Sequence, residues 1–182
     1  MGNDFDPIKS FADMRHEFGE HGGVNMSIET STTYTVMSAD TMPEIFQGRV
    51  GPDESTGGCF LYGRHFNPTV YVLGKQLASI EGAEAGYCTA SGMSAIAGAV
   101  LQLCGQGDHI VCSDTVYGGT FALLKEFLPA KMGLRVSFVD TCDPEQVEAA
   151  FTPRTRLLYT ETVANPTLRV ADLPRLAGIA HD

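Results

Sequence analysis

Positive charge is scarce in this sequence. Twelve Lys and Arg stand against 22 Asp and Glu, a net charge of −10. That balance excludes a general nucleic-acid binder and a protein held on an anionic membrane surface, because both need a basic face. It still allows a local basic pocket around a small anion. Long apolar runs are missing too. No stretch approaches the ~20 residues of a membrane-spanning helix, and the first residues lack the charged-then-apolar pattern of a secretory leader. The cysteines, at 59, 88, 104, 112 and 142, are odd in number and form no C-x-x-C pair. Cys88, Cys104 and Cys112 sit in apolar stretches, so the expectation is reduced core thiols in a cytoplasmic protein. Histidines 16, 21, 65, 109 and 181 show no metal-ligand spacing, which points to solvated or core roles. Neither G-x-G-x-x-G nor G-x-x-x-x-G-K-[ST] occurs, so dinucleotide and P-loop sites lose their usual markers. No Ser stands in a G-x-S-x-G elbow.

What is present is enough for one domain. The 182 residues are 43% apolar, sufficient for a sizeable core. Residues 1–60 have no steady period and are rich in Gly, with polar runs such as Glu29-Thr30-Ser31-Thr32-Thr33. They read as an arm with a short helix near Phe11–Phe18, one that lies against its own body or a partner subunit. From residue 67 the pattern changes. Asn67 is a good N-cap and Pro68 fits the first helical position. Val70, Leu73, Leu77 and Ile80 then recur at three and four, predicting an amphipathic helix that ends at Gly82. Ala85–Ala90 reads as a strand, and Gly92–Cys104 as a buried helix. His109–Ser113 reads as a strand, and Phe121–Leu128 as a helix halted by Pro129. Arg135–Asp140 reads as a strand, Pro144–Phe151 as a helix opened by Asp143, and Thr155–Thr160 as a strand. Leu173–His181 completes the series as a helix capped by Asp172. This alternation predicts βαβ units, a largely parallel sheet and helices on both faces. Ligands then bind outside the carboxyl ends of the strands.

The candidate motifs fall at such ends. Ser91-Gly92-Met93-Ser94 opens a helix, where free N–H groups suit a phosphate and Gly92 allows close approach. A plain strand-to-helix turn capped by Ser91 is the alternative. Tyr117-Gly118-Gly119-Thr120 offers an aromatic ring to stack on a flat group, or a packed Tyr beside a glycine turn. Asn165, in Glu161-Thr162-Val163-Ala164-Asn165-Pro166-Thr167, is biased to an extended conformation by Pro166. Its amide either points into the crevice or satisfies its own turn. Upstream, Tyr62 and Arg64 would share a face on an extended backbone, with the Arg64 fork suited to phosphate. Together these segments suggest a pocket for a phosphorylated aromatic cofactor.

In combination the motifs resemble the Cys/Met-metabolism family of pyridoxal-phosphate enzymes. Y-x-R-x-x-N-P-T appears as Tyr62, Arg64, Asn67, Pro68 and Thr69; S-G-M-x-A-I as Ser91, Gly92, Met93, Ala95 and Ile96. Y-G-x-T appears as Tyr117, Gly118 and Thr120, and E-x-x-x-N-P-T as Glu161, Asn165, Pro166 and Thr167. Order and spacing agree over residues 60–182. The segment from Arg15 to Asn25 is most similar to the plant-type methionine γ-lyases of the family. Two positions depart from the family pattern: Gly119, where some methionine γ-lyases carry Cys, and Val163, where many members carry Pro.

The resemblance implies an aspartate-aminotransferase-like α/β fold (fold type I). Residues 1–60 would be its amino-terminal arm and 61–182 the first part of its cofactor domain. It implies pyridoxal 5'-phosphate held at its phosphate by Ser91, Gly92 and Met93, with Tyr62 and Arg64 reaching the phosphate of a neighbouring subunit. Tyr117 would stack on the ring and act catalytically in proton handling, and Asn165 would bond the ring's phenolic oxygen. The implied activity is carbon–sulfur bond cleavage by α,γ-elimination on a sulfur amino acid, or γ-replacement of the cystathionine γ-synthase kind, in a homotetramer built from dimers. The family's Schiff-base lysine and ring-nitrogen aspartate have no counterpart among Lys9, Lys75, Lys125, Lys131 and Asp182. The expectation is a longer protein of which this chain is the amino-terminal portion, inactive alone, or else a truncated chain with no catalysis of its own.

Overall fold

The computed structural model describes residues 5–13, 27–36, 38–52 and 60–181. The chain divides into two compact units, Met1–Cys88 and Thr89–Asp182.

The first unit contains α1 (Pro7–Asp13), α2 (Thr41–Phe46) and α3 (Pro68–Glu81). The start of α3 is as the sequence predicts: Asn67 Oδ1 accepts from the amides of Thr69 at 3.0 Å and Val70 at 3.4 Å, satisfying two of the donors a helix start leaves free. Gly82 closes the helix in the left-handed conformation, φ 63°. The buried face differs from the expected one. Val70, Leu73 and Leu77 are each 47% exposed, whereas Gly74 and Ala78 are buried. The cause is a backbone crossing. A Cβ added at Gly74 would run into the carbonyl oxygen of Gly86, and one at Gly86 into that of Gly74. Such an approach selects the small-residue face of the helix. It also bears on the expected strand at Ala85–Ala90, which does not form. The three described strands pair only with one another, so this segment finds no ladder partner and Gly86 lies on α3 instead.

The described part of the arm lies on α3. Glu29 N–H donates to Thr69 Oγ1 at 2.9 Å, Asn67 Nδ2 donates to the Glu29 carbonyl at 2.9 Å, and Ser10 Oγ meets Ser79 Oγ at 2.7 Å. Thr33 forms an antiparallel bridge with Tyr62. The arm helix starts earlier than expected, because Asp6 Oδ1 accepts from the amides of Ile8 and Lys9 and so caps it. The rest of the predicted range, residues 14–18, lies outside the described residues, as does the segment from Arg15 to Asn25.

The second unit runs α4 (Gly92–Leu103), β1 (His109–Ser113), α5 (Gly118–Ala122), a π-helical turn (Leu123–Phe127), α6 (Leu128–Met132), β2 (Arg135–Val139), α7 (Pro144–Ala150), β3 (Thr155–Tyr159) and α8 (Leu173–His181). The sheet is wholly parallel, in the order β2-β1-β3. All five residues of the central strand are buried. On one face Ile110 and Cys112 pack with Val100, Leu124 and Leu128. On the other, Val111 packs with Val147 and Leu176. Helices therefore cover both faces, as the βαβ pattern requires. Each fully buried Ile, Leu or Val contributes about 1.5–3 kcal/mol.

Two helices depart from expectation. Pro129 does not halt its helix. In the π-helical turn the Leu128 N–H donates to the Leu123 carbonyl, five residues back, so the ladder skips the bond that Pro129 cannot make. The chain then stays helical to Gly133, φ 65°. The helix expected to be buried, α4, buries only Val100; Leu101 and Leu103 are 49% and 55% exposed. Its neighbours in this unit, α5 and β3, cover one stripe of a helix that is apolar on several sides. Among the described residues no helix is long and apolar enough to cross a membrane.

Candidate functional site

The start of α4 is built by Ser91. Its backbone is extended, φ −159°, and its Oγ accepts from the Ser94 amide at 3.1 Å. Its carbonyl takes the Ala95 N–H at 3.1 Å. The Gly92 and Met93 amides belong to the first turn, whose N–H groups have no intrahelical acceptor. A Cβ at Gly92 would meet nothing within 4 Å. The segment leading into Ser91 is irregular and not the strand the sequence suggests.

Tyr117 follows β1 after a short turn and forms the N-cap position of α5, with φ −48° and ψ 136°. Its ring is 59% exposed. A Cβ at Gly119 would fall 2.6 Å from Tyr117 Cε1 and 3.1 Å from Met93 Sδ. The ring thus rests on Gly119, and the Met93 thioether approaches the same glycine, so α4 and the Tyr117 turn meet at one point. The Tyr117 N–H donates to Glu161 Oε1 at 2.7 Å.

Asn165 stands beyond β3 in a pinned loop. Val163 and Val170 form an antiparallel bridge. Ala164, which is buried, donates its N–H to the Arg169 carbonyl at 2.9 Å and accepts from the Leu168 amide at 2.8 Å. Asn165 itself is exposed. The Arg169 guanidinium pairs with Asp140 and holds that carboxyl below its ordinary range. Hydroxyls tie the carboxyl ends of the strands together: Thr141 Oγ1 donates to Ser113 Oγ at 3.2 Å and lies 3.1 Å from Thr160 Oγ1. Burial, followed by the charges of Glu161 and Asp114, pushes the Cys112 thiol up to about 12.

Tyr62 and Arg64 belong to the first unit. They do not lie on an extended strand: the Tyr62 carbonyl accepts from the amides of His65 at 2.9 Å and Phe66 at 3.2 Å, which makes a turn. The turn still brings them together, with Arg64 Cζ 5.2 Å from the Tyr62 ring centroid. A cavity of about 180 Å³ beside them is lined by Gly63, Arg64, Asn67, Tyr87 and Cys88 among others. Lys75 lies over the Tyr71 ring and Lys125 over the Phe121 ring. Among the described residues no group of three His, Cys, Asp or Glu could hold a metal ion.

The sequence brought Ser91, Gly92, Met93 and Tyr117 to notice, and the structure gathers Met93 and Tyr117 at Gly119. The contact between Tyr117 and Glu161 had no sequence signal beyond the place of Glu161 in the E-x-x-x-N-P-T pattern.

Comparison with known proteins gives a consistent result. The model of the Cys/Met metabolism PLP-dependent enzyme family matches residues 11–182. A methionine γ-lyase of Arabidopsis thaliana is 54% identical over 180 residues, covering 98% of this chain and 40% of that protein. An L-methionine γ-lyase of Fusobacterium nucleatum is 39% identical over 161 residues, covering 88% of this chain and 39% of the relative. Among solved structures, one described as an O-acetylhomoserine (thiol)-lyase from Campylobacter jejuni superposes with a TM-score of 0.85 at 28% identity. It covers 98% of this chain and 42% of its own, and carries a pyridoxyl-lysine phosphate. The chain therefore spans about two fifths of the length of the proteins it matches. Its α/β unit is part of a fold type I pyridoxal-phosphate domain.

Proposed function

We infer the function from one premise: the chain belongs to the Cys/Met metabolism PLP-dependent enzyme family. The protein we propose is a pyridoxal-phosphate carbon–sulfur lyase that acts by α,γ-elimination on a sulfur amino acid. One observation carries the reading: the Met93 side chain, from the first turn of α4, and the exposed Tyr117 meet at Gly119.

The residues fit the cofactor. The first-turn amides of α4, which have no intrahelical acceptor, suit a phosphate, with Ser91 fixing the turn. The exposed face of Tyr117 suits a flat ring. Asn165 lies in the loop beyond β3 closed by the Val163–Val170 bridge, and its amide would bond the ring's phenolic oxygen. When bound, the cofactor supplies an electron sink for charge developing at the substrate α-carbon. Tyr117, as the catalytic residue, would hold or pass a proton at its hydroxyl oxygen. Arg64, with Tyr62 stacked beneath it, reaches the phosphate of a neighbouring subunit. The active unit is then a homodimer, two of which build a tetramer. Free thiols at Cys88, Cys104, Cys112 and Cys142 accord with a cytoplasmic protein.

The test uses the protein at the length its gene encodes, purified with pyridoxal phosphate. Elimination from methionine consumes one water and releases methanethiol, ammonia and 2-oxobutanoate. Ammonia release without added thiol is the expected result. A second reading, γ-replacement, is favoured by the likeness to an O-acetylhomoserine (thiol)-lyase. It predicts thioether formation from an activated homoserine and a thiol, with no ammonia.

A further inference from the structure

We propose that Glu161 is a positioning residue for Tyr117: its carboxylate, carried at the end of β3, fixes the backbone from which the Tyr117 ring projects. The inference rests on the role given to Tyr117 above. Tyr117 is held at three points. Its N–H donates to Glu161 Oε1 at 2.7 Å, its carbonyl accepts from the Phe121 amide at 2.9 Å, and its ring rests on Gly119. Its own side chain caps nothing. Two of these holds lie within four residues of Tyr117. Of these three holds, the Glu161 bond alone reaches another element, across 44 positions of sequence.

Glu161 is suited to this. It lies two residues beyond the last residue of β3, in a segment anchored on both sides. Before it, Thr160 Oγ1 stands 3.1 Å from Thr141 Oγ1. After it, the Val163–Val170 bridge closes the loop that carries Asn165. The carboxylate is half-buried and its bond to an amide is charge-assisted, a short and strong class of hydrogen bond. One side chain thus sets the ring-stacking Tyr117 and the loop of Asn165 in a common frame. This gives Glu161 a part in the E-x-x-x-N-P-T segment that its sequence alone does not reveal.

Two mild substitutions separate acceptor placement from charge. Glu161→Gln keeps the length and an oxygen acceptor but loses the charge. Glu161→Asp keeps the charge but withdraws it by one methylene. In the protein at its encoded length and free of cofactor, amide hydrogen exchange is read by peptide mass over residues 114–121. Positioning predicts that Glu161→Gln, which keeps the acceptor in place and loses only the charge assistance, retains more protection than Glu161→Asp. It predicts roughly tenfold to hundredfold faster exchange in Glu161→Asp, the loss expected for one charge-assisted bond. With cofactor and substrate, Glu161→Asp should lower kcat with KM nearly unchanged. Equal protection in the two variants overturns the proposal, and so does greater protection in Glu161→Asp. Undiminished turnover in Tyr117→Phe would instead remove the proton-handling role of Tyr117, and the exchange result would still decide what Glu161 does.

Discussion

Gly74 and Gly178 both lie in helix interiors, yet alanine should have opposite effects at the two. In a helix interior Gly→Ala gains about 1 kcal/mol from backbone entropy. At Gly178, in α8, a Cβ meets nothing within 4 Å, so the gain should appear in full. At Gly74, in α3, the Cβ would press into the carbonyl of Gly86. That is backbone against backbone, and no side chain can swing aside. Overpacking of this kind costs about 1–3 kcal/mol, occasionally more, and the rigid neighbour places this case at the upper end. The net expectation is a loss of about 1–2 kcal/mol at Gly74. For a chain of this size 1 kcal/mol corresponds to about 2–4 °C in Tm. Gly74→Ala should therefore melt about 2–8 °C lower and Gly178→Ala about 2–4 °C higher. The chain has no tryptophan, so far-UV circular dichroism is the direct readout. A Gly74→Ala protein melting at or above the parent temperature would refute the backbone crossing as the determinant of which face α3 buries.

Gly119→Ala should move the Tyr117 ring by about 1 Å to reach ordinary contact, weakening cofactor affinity while Tm changes little, since the ring is exposed; Gly118→Ala, with nothing within 4 Å, should leave the affinity unchanged. His109 is buried between Thr155 Oγ1 at 2.8 Å and Ser137 Oγ at 3.0 Å. Burial, then the Arg135 charge, holds it below its ordinary pKa. The unfolded chain takes up this proton near pH ~6.5 and the folded one only at lower pH, so stability should fall as pH drops through ~6.5 towards the folded value. Denaturant melts from pH 7.5 to 5.5 should show this slope, flattened in His109→Gln. With a thiol reagent at pH 8, Cys142, which is exposed, should react in the native protein. Cys112, buried and pushed up to about 12, should react only on unfolding, as peptide mapping would report.

Local chemistry was the legible part of this fold. Asn67, Ser91 and Asp143 each predicted a helix start, and each accepts the amides a cap should accept. The strands His109–Ser113 and Thr155–Tyr159 also stood out, because a parallel strand covered on both faces is a short apolar run between turns. What failed depended on neighbours. Val70, Leu73, Leu77 and Ile80 form a proper helical stripe, but periodicity says only that a face is apolar. The Gly74–Gly86 crossing decides which face is covered. Pro129 failed for a related reason. The rule that proline ends a helix assumes an α-ladder, and one π-turn removes the bond whose loss makes the rule.

The site divides along the same line. Residues that act through their own backbone or ring could be picked out one by one, as Gly92 and Tyr117 were. Residues that act by holding another could not. Glu161 touches Tyr117 only because β1 and β3 are neighbours in a parallel sheet, which places their carboxyl ends side by side. No window of sequence contains both residues, and neither spacing nor composition connects them. Gly119 is a milder case: a glycine after a glycine reads as a flexible turn, while its use here is the room it leaves for a ring and a thioether. Supporting residues of this kind become visible only once strand order is known. Substitutions aimed at Tyr117 alone would therefore leave half of its geometry untested, and the Gln and Asp variants of Glu161 address that half.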